Sequence, residues 1–147
     1  MLIQLLAGGA VSFINFGIHA LITGLIVVAT RHTARVTDHM SMFARITALL
    51  TVTVAALMVA HVGEIGVWTA FYILAGVVDP ARVHPFEFAF ENYTALGYGD
   101  VVPTEWRLIG PITALNGLLL IGWSVAIIFE VLRMAEIQIG HHRKLTR

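Results

Sequence analysis

The chain has 147 residues, of which 58% are hydrophobic and only 12% are charged, and its mean hydropathy is +0.84. Soluble domains carry charge on about a quarter of their residues, so this composition excludes a soluble globular protein. A formal net charge of zero provides no broad basic field for nucleic acid, and the lack of cysteine excludes disulfides and thiolate metal sites.

Three long apolar runs predict membrane-spanning helices. Residues 1–30 and 108–129 contain no Asp, Glu, Lys or Arg, and residues 46–78 contain a single acid, Glu64. About 20 helical residues cross the hydrocarbon core of a bilayer, so all three runs are long enough. The first run has no basic start and no clear small-residue cleavage site, so we expect a retained helix rather than a signal peptide.

The positive charges predict the orientation of these helices. Most of them lie between the first two runs or around the C-terminus, and only Arg82 and Arg107 lie between the second and third runs. The positive-inside rule therefore places the first loop and the C-terminal tail in the cytoplasm. We predict a multi-pass membrane protein with its N-terminus outside and its C-terminus cytoplasmic.

The segment between the second and third runs has a pattern of its own. Pro80 and Pro85 are turn and helix-start signals, and the aromatic and acidic residues 86–93 are too few to cross the membrane. Residues 94–100 then read TALGYGD, and Pro103 cannot continue a helix. We expect a short re-entrant helix followed by an extended strand. Such backbone is tolerated at membrane depth where it lines a water-filled pathway.

The glycines of this segment suit the lining of a cation pathway. Backbone carbonyls that replace the water around a cation must point at one axis. This requires left-handed dihedral angles, which Gly97 and Gly99 adopt at little steric cost. The short helix would end near Thr94 with its partially negative end directed at the pathway. Because one strand cannot surround an ion, the segment predicts a homotetramer with cyclic symmetry.

This segment resembles the selectivity filter of potassium channels, whose usual form is Thr-Thr-Val-Gly-Tyr-Gly-Asp. The resemblance extends over about residues 46–134, since Pro103, Trp106 and Arg107 match the turn into the inner helix of bacterial members. It implies an all-α membrane protein with three transmembrane helices, a re-entrant pore helix and filter loop before the last one, and a homotetrameric pore in the cell (inner) membrane. It also implies K⁺ bound by the filter carbonyls of Thr94, Ala95, Leu96, Gly97, Tyr98 and Gly99.

The resemblance further implies residues that support the filter. Glu91 would pair with Asp100 behind the filter, which we prefer to a catalytic carboxylate pair because the sequence offers no substrate cleft. Gly117 and Gly122 would be gating hinges of the inner helix. Ala95 departs from the family, because a threonine hydroxyl normally helps to form the innermost ion site, and this change would alter conductance or selectivity.

The apolar runs and the resemblance together predict how the chain is divided. From the N-terminus, the parts are an additional transmembrane helix (1–30), a cytoplasmic loop (31–45), a pore domain (46–134) and a cytoplasmic tail (135–147). Within the pore domain we predict an outer helix (46–78), a pore helix and filter (85–103) and an inner helix (107–134). The first helix has no counterpart in the simplest channels with two spans.

Polar residues within the spans leave two interpretations open. His61 and Glu64 are three residues apart and share a helix face. They could be a hydrogen-bonded pair that packs helices together, or an element that makes gating depend on pH. We expect Asn15 and His19 to make packing contacts, with His61 or Glu64 as partners. Asn116 could face a central cavity or bond a neighbouring helix.

The sequence thus predicts passive conduction of potassium ions, with no enzymatic activity and no cofactor besides the permeant ions. A poorly selective monovalent cation channel is an alternative because of Ala95. Two alternatives come from other classes: a non-conducting channel subunit, and an intramembrane metal-binding protein built on His19, His61 and Glu64. The metal-binding alternative needs a further ligand and leaves the glycine segment unexplained. The expected partners are the lipid bilayer and the other subunits, an unidentified regulatory subunit remains open, and nucleic acid is not expected.

Overall fold

The structure is a computed structural model that describes residues 1–36, 41–97 and 104–145, with side chains undescribed at 31, 33–36, 104 and 136–145. The described part contains helices and no strand. In chain order the elements are α1 (Leu2–Val36), α2 (Met42–Leu74), α3 (Pro85–Tyr93), a 3₁₀ turn (Thr104–Trp106) and α4 (Ile109–Leu145).

Three of these helices contain stretches long and apolar enough to cross a membrane, namely Leu2–Thr30, Met42–Leu74 and Ile109–Ala135. With nine residues, α3 is too short to cross, and it lies between the second and third spans in the chain. The predicted fold class, an all-α membrane protein with a short helix before the last span, is confirmed.

One side of α1 packs against α2 and α4. Its buried residues recur at intervals of three, four or seven positions, which places them in a single stripe along the helix. The stripe includes four polar residues, Gln4, Asn15, His19 and Thr30. The opposite side exposes apolar residues such as Phe13, as expected for a helix surface that faces lipid.

Several helix ends differ from the predicted boundaries, because local hydrogen bonds rather than apolar content end a helix. The first helix continues beyond 30 to Val36, and the inner helix begins at Ile109 rather than 107 and continues beyond 134 to Leu145. The outer helix runs from 42 to 74 rather than from 46 to 78. It begins after Ser41, whose hydroxyl accepts a hydrogen bond from the Ala44 amide at 3.4 Å.

The C-terminus of α2 is closed by a Schellman motif centred on Gly76. Gly76 has a φ of +62°, a left-handed angle that glycine adopts without strain. The amide of Val77 donates to the Tyr72 carbonyl at 3.0 Å, and the amide of Gly76 donates to Ile73 at 3.3 Å. Val77 and Val78 were predicted as the last helical residues, but they follow this cap and are buried in the core.

Candidate ion pathway and the polar cluster behind it

The short helix α3 is held between α2 and α4 by an apolar face. Phe88, Ala89 and Tyr93 are buried, and the Phe88 ring lies 5.1 Å from the ring of Tyr72 on α2. The Tyr72 hydroxyl in turn lies 2.6 Å from the Thr113 hydroxyl on α4. Both long helices therefore position the end of α3, where the predicted filter begins.

The residues directly after α3 form a helix cap, so the extended strand predicted from Thr94 does not begin there. The amide of Leu96 donates to the Glu91 carbonyl at 2.9 Å, and the amide of Ala95 donates to the Asn92 carbonyl at 3.0 Å. These two bonds are those of a Schellman motif. They satisfy carbonyls that the helix end would otherwise leave without donors.

Two residues of this segment adopt left-handed backbone angles. Gly97 has a φ of +76°, as expected from its role in the glycine pattern, and Ala95 has a φ of +61°. The angle at Ala95 was not predicted, because residues with a Cβ atom rarely adopt it. Tyr98, Gly99 and Asp100 lie outside the described residues, so their filter roles and the pairing of Asp100 behind the filter stay predictions.

The strained cap predicts an unusual result for the substitution Ala95→Gly. Ala95 occupies the position that Gly76 occupies in the cap of α2, and a left-handed alanine costs about 1 kcal/mol relative to glycine. We expect Ala95→Gly to raise the free energy of unfolding in detergent micelles by about 1 kcal/mol. Gly76→Ala is the matched control and should lower it by about the same amount, since nothing lies within 4 Å of a Cβ atom there. If Ala95→Gly lowered the free energy of unfolding as Gly76→Ala does, that result would contradict the strain at Ala95.

The end of α3 also rests directly on the backbone of α4. A Cβ atom built on Gly117 would lie 2.0 Å from the Tyr93 carbonyl oxygen, so only glycine permits this approach. At Gly122, nothing lies within 4 Å of the corresponding position. The two glycines predicted as hinges thus have different surroundings, and their part in gating stays a prediction.

A buried carboxylate joins three helices behind the end of α3. The side chain of Glu64 on α2 is 0% exposed. Its Oε1 atom lies 2.8 Å from Nδ1 of His19 on α1. Its Oε2 atom lies 3.1 Å from Nδ1 of His61 and accepts a hydrogen bond of 2.5 Å from the Tyr93 hydroxyl at the end of α3.

Ser124 on α4 completes this group, which we name the polar cluster: His19, His61, Glu64, Tyr93 and Ser124. Its hydroxyl lies 2.9 Å from Nε2 of His61 and 3.4 Å from Nε2 of His19. All four helices therefore contribute to one hydrogen-bonded network. His19 makes the packing contact expected for it, whereas the contributions of Tyr93 and Ser124 were not foreseen. A pH-dependent role of His61 and Glu64 stays a prediction.

A second polar contact lies beside the cluster. Asn15 donates to the Glu64 backbone carbonyl at 3.3 Å and to the side-chain oxygen of Asn116 at 3.0 Å. The indole N–H of Trp68 donates to the same Asn116 oxygen at 2.9 Å. Asn116 is buried, so of its two expected positions it takes the one that bonds neighbouring helices.

The first helix is linked to residues on both sides of the predicted filter. Before the filter, His19 reaches Tyr93 through the shared carboxylate of Glu64. After the filter, the side chain of Gln4 donates to the backbone carbonyl of Glu105 and accepts a hydrogen bond from the Leu108 amide at 3.0 Å. The first helix is therefore linked to the chain both before and after the predicted filter.

Comparison with known proteins identifies the region around this segment. A search of the curated proteins and a search of the solved structures each returned no significant match. A family model described as an ion channel matches residues 67–134, which is just under half of the chain and begins after His61 and Glu64. The protein is therefore an all-α membrane protein, and its residues 67–134 are similar to an ion channel family, which supports passive conduction of ions across a membrane.

Proposed function

We propose that the protein conducts potassium ions passively across the cell (inner) membrane, as a homotetramer whose filter is residues 94–99. The observation that carries the proposal is the position of the glycine segment, which directly follows a short helix inside the region that matches an ion channel family. The N-terminus would lie outside and the C-terminus in the cytoplasm, following the distribution of positive charges.

The backbone after α3 supports this assignment. Ala95 and Gly97 have positive φ angles and Leu96, between them, does not. Successive carbonyls of an L-residue chain face one axis only if some residues are left-handed, and such a row of carbonyls is what replaces the hydration shell of K⁺. Ala95 has a positive φ although it carries a Cβ atom, and backbone strain of this kind is found most often at functional sites.

The packing of α3 supports a precisely held filter. Its buried face, the hydroxyl of Tyr93 and the contact with Gly117 fix the end of the helix from three directions. A helix of this kind directs its partially negative C-terminus at the start of the filter, which favours a cation. Four copies around an axis would supply the ring of carbonyls that one chain lacks.

The proposal is tested by ion flux through the purified protein in liposomes, with potassium and sodium compared. We expect flux that is selective for potassium and that is lost in Gly97→Asp, because the substitution strains the left-handed angle and places a carboxylate beside the carbonyls. Gly63→Ala is the matched control for a glycine substitution, since nothing lies within 4 Å of a Cβ atom on this exposed residue of α2. It should retain full flux.

The other outcomes separate the alternatives. Equal flux of both ions, still lost in Gly97→Asp, would favour the poorly selective cation channel and point to Ala95. Absence of flux from a preparation whose mass in detergent is that of a tetramer would favour a non-conducting subunit. A monomeric mass would contradict the homotetramer itself.

A further inference from the structure

Three members of the polar cluster have the chemistry and spacing of metal ligands. One ring nitrogen each of His19 and His61 and one carboxylate oxygen of Glu64 lie within 4.8 Å of one another. Zinc binds imidazole and carboxylate at about 2.0–2.2 Å, so the ligand atoms of a tetrahedral ion lie about 3.4 Å apart. The nitrogens of His19 and His61 lie 2.8 Å from Oε1 and 3.1 Å from Oε2 of Glu64, and both distances are within about 0.6 Å of that separation.

Tyr93 provides the further ligand that the sequence alone did not reveal. Its hydroxyl oxygen lies 2.8 Å from Nδ1 of His61 and 2.5 Å from Oε2 of Glu64, so it lies beside two of the other three groups. A tyrosine oxygen can coordinate a metal ion. Two nitrogens and two oxygens complete the four-coordinate shell that zinc prefers in closed sites.

Ser124 stands where a supporting group of a metal site is expected. If His19 and His61 bind an ion through Nδ1, both Nε2 atoms carry protons and need an acceptor. The Ser124 oxygen lies 2.9 and 3.4 Å from these two atoms and has two lone pairs. One hydroxyl can therefore orient both rings.

The charge of the cluster favours a bound cation. Glu64 is fully buried within a span, and an ionised carboxylate there needs a positive charge beside it. The side chains within hydrogen-bond distance of its oxygens are two imidazoles and a phenol, none of which carries a permanent charge. The His61 side chain is 15% exposed and borders a cavity of about 320 Å³ between α2, α3 and α4.

We propose that His19, His61, Glu64 and Tyr93 bind a divalent transition-metal ion of the zinc class. Such an ion would link α1 to α2 and to Tyr93, the last residue of α3, which directly precedes Thr94. Zinc binding does not depend on ion conduction. The protein could conduct ions without binding zinc, or bind zinc without conducting ions, so the two proposals are tested separately.

The test is a titration of the purified protein in detergent with Zn²⁺, in a parent protein that carries His141→Ala and His142→Ala so that this histidine pair cannot bind zinc. We expect one Zn²⁺ per chain. The variant His61→Gln should weaken binding more than 100-fold, and Ser124→Ala about 10-fold, as for a supporting group. His84→Gln, which changes an exposed histidine outside the cluster, is the matched control and should bind as the parent does.

Two further readouts keep the proposal falsifiable if a variant folds poorly. Co²⁺ bound to the parent should give the visible absorption of a tetrahedral site, and Zn²⁺ should raise the unfolding temperature of the parent but not of His61→Gln. A parent that shows neither the cobalt absorption nor a zinc-dependent rise would overturn the proposal. Equal zinc affinity of the parent and a His19→Gln/His61→Gln double variant would overturn it as well, and the cluster would then be a hydrogen-bond network alone.

Discussion

Replacing Gly117 by alanine is expected to abolish tetramer assembly and ion flux. The new methyl group would lie 2.0 Å from the Tyr93 carbonyl oxygen and 2.9 Å from its carbon, and both are backbone atoms that cannot rotate away. Overpacking a well-filled core costs about 1–3 kcal/mol when side chains can move, and here the end of α3 itself must shift. The measurement is the oligomeric mass in detergent together with potassium flux in liposomes.

Gly122→Ala is the matched control on the same helix. Nothing lies within 4 Å of a Cβ atom at Gly122, and alanine favours the helix by about 1 kcal/mol, so this variant should assemble normally. The pair of variants also separates two roles of Gly117. A pure hinge would leave assembly of Gly117→Ala intact and change only the open probability, and that result would contradict the close contact with Tyr93.

Replacing Glu64 by alanine is expected to lower the free energy of unfolding by about 3–5 kcal/mol. The substitution removes the acceptor shared by His19, His61 and Tyr93, and in a buried site these groups find no water to replace it. It also leaves a cavity where three helices meet. The measurement is reversible unfolding in mixed micelles, in metal-free buffer so that zinc binding does not contribute.

Two further variants give reference values for the loss of stability expected in Glu64→Ala. Glu64→Gln keeps the volume and one acceptor oxygen, so it should lie between the wild type and Glu64→Ala. Glu130→Ala removes an exposed carboxylate that pairs with Arg133 at 3.0 Å, and it should change stability by less than about 1 kcal/mol. If Glu64→Ala cost as little as Glu130→Ala, the carboxylate would not be the acceptor that joins the helices.

The three spans could be predicted from composition because a bilayer tolerates very few charged residues. A long apolar run with at most one charged residue therefore predicts a membrane-spanning helix. The helix ends could not. The outer helix stops at Leu74 although apolar residues continue to Val78. The left-handed angle at Gly76 lets the amides of Gly76 and Val77 bond the last carbonyls of the helix, which ends it there. Apolar content indicates which residues are embedded, whereas capping decides which are helical.

The candidate site was predictable to the extent that it follows from spacing along one helix. The separation of three residues placed His61 beside Glu64, and the glycine pattern placed a left-handed residue at Gly97. Tyr93 and Ser124 were missed because their contacts depend on how α3 and α4 pack against α2, which no single helix periodicity encodes. The angle at Ala95 was missed because alanine gives no sign of a left-handed cap.

The double attachment of α1 has a mechanical consequence for the filter loop. Gln4 lies near one end of the first span and is bonded to Glu105 and Leu108, after the predicted filter. His19 lies fifteen residues further along the helix and is linked through Glu64 to Tyr93, before the predicted filter. A tilt of α1 would therefore displace the two attachment points by different amounts. Because the tilt of a spanning helix depends on the thickness of the surrounding lipid, a change in bilayer thickness would act on the predicted filter through α1.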